Sequence, residues 1–355
     1  MEITYSLFSH GGNIYRFGKD VLDFSANINP CGFPSQVKKT IYKNLDKIIH
    51  YPDTEAKITT QKIARFWQIK EDNILVGNGS VELIYLIALT YKPKTAIIPQ
   101  PTFCEYERAL KTVNSNIRFD QLQEKEGFRL NLSSLSEADI LFVCNPNNPT
   151  GNLVLKNRQQ IDKLTINKLV VVDESFMDFL PDEKKHTLIY EAIKSRQIIV
   201  LRTFTKFFGI PGLRIGYLVA HPETVSTLKE YQMPWNTNLL AQLATEVILD
   251  DSAYIKKTYQ LIEKERDFLF NELTKIKGLL PYPSVTNFLL IRIEKDGGTS
   301  SNLVNDLIKK GILVRDCSNF RYLDNKYIRC AIREHKDNIK LIEALKEIFP
   351  PVQLD

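Results

Sequence analysis

Between about residue 55 and residue 235 the chain repeats one pattern, in which a short unbroken β-branched apolar run is followed by a longer helical or loop stretch. The runs lie at 95–98, 140–144, 169–172, 198–201 and 215–219. A strand with one face in water alternates apolar and polar residues. These runs do not alternate, so both of their faces must be covered. Parallel strands joined by crossover helices meet that demand, which predicts a large α/β domain with a mostly parallel central sheet flanked by helices.

Beyond Trp235 the character changes. A charged helical stretch at about 240–276 precedes strands near 286–293, 311–315 and 326–332, then a final helix at 335–348. This reads as a smaller α+β domain. Residues 1–34 look irregular because Gly11, Gly12, Gly18, Pro30, Gly32 and Pro34 interrupt them, and 35–48 reads as a helix capped by Ser35. The division expected is 1–40 as an N-terminal arm and part of the small domain, 41–238 as the large domain, and 239–355 as the small one.

At 355 residues, two such units are the natural expectation. The formal charge of +5 is dispersed, which argues against nucleic acid as a partner and suits a small anionic substrate. Cys31, Cys104, Cys144, Cys317 and Cys330 show no paired spacing and read as reduced, mostly buried thiols of a cytoplasmic protein. Residues 1–10 lack a signal pattern, and no apolar run approaches the roughly 20 residues of a membrane span. No metal-ligand spacing stands out.

Four segments sit at predicted strand ends, the edge where open α/β sheets bind ligands. Gly77-Asn78-Gly79-Ser80-Val81-Glu82 opens an apolar helix, where glycines and free amides favour an anion, although a turn with a capping serine reads equally well. Glu82 stands where a dinucleotide fingerprint needs a glycine, and no Walker lysine follows. Asn145-Pro146-Asn147-Asn148-Pro149-Thr150-Gly151 forms a rigid turn that aims an amide into the cleft. Asp173-Glu174-Ser175-Phe176 ends a buried strand in a carboxylate, which needs a cationic or donor partner, a salt bridge or helix cap being the plainer alternative. In the stretch from Thr203 to Arg214, Lys206 lies among aromatic residues with Thr203 and Thr205 before it and an arginine after it. Those surroundings lower a lysine pKa, as a Schiff-base amine requires.

Together and in this order, the four segments resemble the fold-type-I enzymes dependent on pyridoxal 5′-phosphate (PLP), and the likeness spans nearly the whole chain. The resemblance implies that Lys206 carries the cofactor as a Schiff base and that Asp173 holds the pyridine N–H. It gives Asn148 the phenolic oxygen and places Gly79, Ser80, Val81, Ser175, Thr203, Thr205 and Arg214 around the cofactor. Phe103 matches the residue that stacks on the ring. Tyr51, in Tyr-Pro-Asp, matches a tyrosine that reaches the neighbouring subunit's cofactor, which implies a homodimer with shared active sites. Taken singly, Phe103 and Tyr51 also read as packing residues.

Within the fold, Tyr-Pro-Asp, Asn-Pro-Asn-Asn-Pro-Thr-Gly and Asp-Glu-x-Phe resemble histidinol-phosphate aminotransferases. His10-Gly11-Gly12-Asn13, the stretch from Leu22 to Pro30, Gln232-Met233-Pro234-Trp235 and the segment from Ile328 to Arg333 more closely resemble the threonine-phosphate decarboxylases of cobamide biosynthesis. Phe176 points the same way, since aminotransferases usually place a tyrosine there. The implied substrate is a small phosphorylated amino acid, O-phospho-L-threonine, with O-phospho-L-serine as a variant. Arg329 would meet its carboxylate. Arg315 would meet its phosphate, helped by His10, the Gly11 backbone and Asn27, with Asn148 also facing the substrate. Arg333 is a further cation without an assigned role. Arg315 and Arg333 also read as surface charges, and His10 as a turn cap.

Overall fold

The computed structural model describes residues 7–17, 21–135, 137–155, 159–295 and 297–350. Residues 1–6, most of the stretch that lacks a signal pattern, lie outside the described residues. A seven-stranded sheet holds the strands in the order Ile74–Gly77, Gly216–Ala220, Ile198–Thr203, Leu169–Asp173, Ile140–Cys144, Thr95–Gln100, Asn116–Gln121. Gly216–Ala220 runs against the other six. Ile140–Cys144 and Ile198–Thr203 are buried along their whole length, as their unbroken apolar character requires. From Thr95–Gln100 the chain moves outward to Asn116–Gln121 and then back to Ile140–Cys144 on the other side. That reversal is the switch point at which a cleft opens beyond the carboxyl ends of the strands. Asp173 and Thr203 end their strands at this edge, and Pro101 and Asn145 directly follow theirs.

A second sheet is antiparallel, in the order Arg315–Asp316, Tyr327–Ala331, Phe288–Ile293, Leu279–Pro281, with the helices Ser252–Thr274, Ser300–Lys309 and His335–Ile348 packed around it. The N-terminal segment is stitched to this part of the chain. Leu22–Asp23 pairs in parallel with Ile312–Leu313, and the Ala331 amide donates to the Phe24 carbonyl at 2.8 Å. One buried apolar cluster runs from Val172 and Val200 to Leu290 and Ile328, so the two sheets share a core. Among the described residues no helix is long and apolar enough to cross a membrane. All five cysteines are unpaired, with Cys144, Cys317 and Cys330 buried.

Several elements depart from expectation for local reasons. Ser35 is the first helical residue, and the cap position belongs to Pro34. The helix expected over 35–48 stops at Lys43, where the Asn44 side chain donates to the Thr40 carbonyl, and resumes as a 3-10 turn at Leu45–Ile49. The stretch at 240–276 is two helices, Leu239–Ile248 and Ser252–Thr274, because Asp251 accepts the Tyr254 amide and starts a new one. The strand expected at 311–315 is split between two sheets. Beneath the site, fully buried Arg202 bonds Glu174, Asp178 and Glu183 at 2.8–2.9 Å and lies over Trp67.

Candidate active site

The floor of the cleft is a carboxylate. Asp173 is 3% exposed, and it accepts the Ser175 amide at 2.9 Å and the Tyr106 hydroxyl at 2.7 Å. Burial raises its pKa despite those donors, so the site holds an anion short of positive charge. Tyr106 also meets Phe103 edge-on, with ring centroids 5.7 Å apart.

Lys206 enters from the loop after Ile198–Thr203. Its backbone is pinned by buried Phe204, Phe207 and Phe208 on either side and by the Asn29 amide, which donates to its carbonyl at 3.1 Å. Burial, then the charges of Arg329 and Arg214, lower its amine to about 8 against the opposing pull of Asp173. That brings a strong base near the pH at which it can exchange protons.

A cationic cradle lies at one end. Gly79 starts the helix Gly79–Tyr91 with φ of +77°, and no side chain caps the amides that follow. A Cβ on Gly79 would stand 2.5 Å from an Arg214 guanidinium nitrogen, so only glycine leaves room for that cation. Gly216 allows a similar approach, since its Cβ would fall 2.8 Å from the Ser80 amide. The basicity of Arg214 is lowered by burial alone, with no carboxylate contributing. Thr203 and Thr205 face each other at 2.9 Å, and the Ser175 and Ser80 hydroxyls at 3.4 Å. Helix amides, hydroxyls and an arginine with no acid partner among the described residues are the donors that a phosphate needs.

At the other end stand two more buried arginines. Arg315 and Arg329 are register partners on neighbouring antiparallel strands, which puts both on one face of the small sheet. Arg329 donates to Asn148 Oδ1 and to the Ser25 carbonyl, and burial followed by the nearby Arg315 charge lowers it to about 10. Arg315 donates to the Asp316 carbonyl, the Ser9 carbonyl and Asn319 Oδ1. Gly11 packs so tightly on Ser25 that a Cβ would meet its carbonyl oxygen at 2.2 Å. Asn27 Oδ1 and Arg329 Nε are buried without a hydrogen-bond partner among the described residues.

One cavity of about 440 Å³ joins the two ends and is lined by the predicted residues apart from Gly79 and Tyr51. Gly79 lies behind Arg214. Tyr51 is 80% exposed and stacks on Trp235 away from the cavity, with ring centroids 4.7 Å apart. Arg333 also lies outside the lining, tied to Asp337 at 3.2 Å and to the Asp23 carbonyl at 3.1 Å. Sequence reasoning missed Tyr106 and Glu105, the wall residues that begin the helix just after Phe103. Their one available signal was that position. The residues present fit PLP, because an acid without full compensation, a depressed lysine and a donor-rich cradle occur in one cavity.

The sequence profile of aminotransferase class I and II matches residues 19–345. The chain belongs to that family. It is a PLP-dependent enzyme with the fold-type-I architecture. A threonine-phosphate decarboxylase of Salmonella typhimurium is 39% identical over 359 residues, covering 96% of this chain and 96% of that one. The structure of a histidinol-phosphate aminotransferase from Clostridium acetobutylicum is 31% identical with a TM-score of 0.85, covering 92% of this chain and 99% of its own. An L-threonine-O-3-phosphate decarboxylase from Porphyromonas gingivalis is 29% identical with a TM-score of 0.82 and the same coverage.

Proposed function

We propose that the protein decarboxylates O-phospho-L-threonine to (R)-1-aminopropan-2-ol O-phosphate, the linker of the cobamide nucleotide loop. The observation that carries this reading is the Arg315–Arg329 pair. Both guanidiniums are buried, at 3% and 6% exposure, and both line the cavity that Arg214 shares. Buried cations call for anions. With Arg214 assigned to the cofactor phosphate, Arg315 and Arg329 in the same cavity suit a substrate that brings a carboxylate and a phosphate in one molecule. In the rival transamination the two anions come on separate molecules, the phosphate on histidinol phosphate and the carboxylates on its co-substrate. The identity to threonine-phosphate decarboxylases supports the same reading.

PLP, when bound, supplies an acceptor for the electron pair released as a bond to the substrate Cα breaks. Lys206 would hold it covalently, Asp173 its ring N–H, Asn148 its phenolic oxygen, Phe103 its ring face and Arg214 its phosphate. Arg329 and Arg315, with His10 and Asn27, grip the substrate at two points, which fixes rotation about Cα and hence the bond presented for cleavage. The carboxylate must also be free to leave. Arg329 gives two of its five N–H groups to Asn148 and Ser25, and the others, the buried Nε–H among them, are left to orient the carboxylate. Lys206 is the lysine lining the cavity, and its amine, lowered to about 8, returns a proton to Cα once carbon dioxide has left. Phe176 supplies no hydroxyl where aminotransferases carry a tyrosine.

The exposed Tyr51–Trp235 stack suits a homodimer in which Tyr51 reaches the partner's cofactor, in a cytoplasmic enzyme. The test is purified PLP-loaded protein given O-phospho-L-threonine, O-phospho-L-serine, and histidinol phosphate plus 2-oxoglutarate, with carbon dioxide and product mass recorded. Carbon dioxide from phosphothreonine at the highest rate is expected. Faster release from phosphoserine moves the assignment to that substrate. Glutamate without carbon dioxide replaces it with histidinol-phosphate transamination.

A further inference from the structure

The imidazole in the cavity wall is not free to turn. His10 Nε2 meets Glu105 Oε1 at 2.8 Å, and the ring lies against Phe103 with centroids 5.7 Å apart. The backbone beside it is held by the Arg315 bond to the Ser9 carbonyl at 2.6 Å. Glu105 opens the helix Glu105–Thr112 and is 4% exposed. Its second oxygen accepts the Tyr85 hydroxyl at 3.1 Å, and Arg108 approaches the first at 3.6 Å. Burial works to raise this carboxyl, but His10, Tyr85 and Arg108 together hold it below its usual range. A buried carboxylate in the wall of a cavity built for anions repels the ligand unless it acts through a cation between them.

We propose that Glu105 is a positioning residue for the phosphate end of the substrate: by taking the Nε2–H of His10 it fixes the ring in the cavity wall, so that the imidazolium gives its Nδ1–H to the phosphate. The proposal rests on the reading that the substrate is phosphorylated. A neutral ring that gives Nε2–H to Glu105 carries a lone pair on Nδ1, which repels a phosphate oxygen, so only the imidazolium donates at both ends. Phosphate binding and retention of this proton are therefore linked.

The other groups around His10 do not confuse the signal. The Cys104 thiol is pushed up to about 12 by burial, and Tyr85 is also raised by burial. Lys206 titrates nearby, but it is common to both proteins compared.

The experiment compares PLP-loaded wild type with E105Q from about pH 6 to about pH 9, the range in which a histidine charge changes. Its probes are O-phospho-L-threonine, histidinol phosphate plus 2-oxoglutarate, and inorganic phosphate as a competitive inhibitor. E105Q should raise KM and the phosphate inhibition constant roughly tenfold at unchanged kcat, because a charge-assisted bond becomes a neutral one. E105D, which keeps the carboxylate, should recover most of the loss. Should E105Q fail to fold, H10N serves: the pH-dependent rise in KM disappears. An unchanged KM and phosphate inhibition constant in E105Q, or a rise with pH that persists in H10N, overturns the proposal while leaving the substrate reading intact. Conversion of histidinol phosphate alone, with the same loss in E105Q, overturns the decarboxylase reading and supports the role of Glu105. Wild type that neither converts nor is inhibited by any phosphate overturns both.

Discussion

Replacing Gly79 with alanine should weaken cofactor binding specifically. The backbone there has φ of +77°, where an alanine costs about 1–2 kcal/mol. The new methyl would stand 2.5 Å from an Arg214 nitrogen, closer than any real contact, so the end of that side chain must shift. Arg214 also donates to the Pro211 carbonyl at 3.2 Å and has φ of +54°, so its retreat is constrained. Losing its charge-assisted bonds to the cofactor phosphate removes about 1.5–3 kcal/mol, or about 10- to 150-fold in PLP affinity. Titrating the apoprotein with PLP by absorbance measures this, and G212A is the control, because a Cβ there meets nothing within 4 Å. A dissociation constant for G79A within about twofold of wild type would refute the phosphate cradle.

Other consequences follow from the same geometry. Lys206 is lowered to about 8 from an ordinary 10.5, so between those values the unfolded chain keeps a proton that the folded chain has released. The cofactor-free protein should therefore gain stability as pH rises through that window, a gain absent from K206M, as urea midpoints of the two will show. R202A should cost about 3–5 kcal/mol in urea unfolding, because it leaves three acids clustered around an emptied position. R333A removes a pair to Asp337, a bond to the Asp23 carbonyl and a contact over the Phe24 ring, so it should cost about 1 kcal/mol of stability and leave KM unchanged.

Much of the site was legible because Asn148, Asp173 and Lys206 sit in contiguous strings at the carboxyl ends of strands whose apolar runs are unmistakable. The arginines were legible only through resemblance. Nothing local distinguishes Arg329 from Arg333, yet one lines the cavity and the other clamps Asp337. Tyr106 and Glu105 carry no motif, and their roles arise from a helix that folds back against Asp173 and His10. The Arg202 cluster stayed hidden because its acids at 174, 178 and 183 are scattered along a loop. The edge strand Asn116–Gln121 is polar and only partly covered, so it lacks the unbroken apolar signature of its neighbours. The role assigned to Tyr51 concerns a second subunit, and in one chain it rests on Trp235.

The most direct test of the central claim, that one cavity holds both anionic ends of one substrate, is a crystal structure of PLP-loaded K206A with O-phospho-L-threonine. The account predicts the carboxylate on Arg329 and the phosphate on Arg315 and His10. A phosphate out of reach of Arg315, or both anionic groups on one arginine, would contradict it.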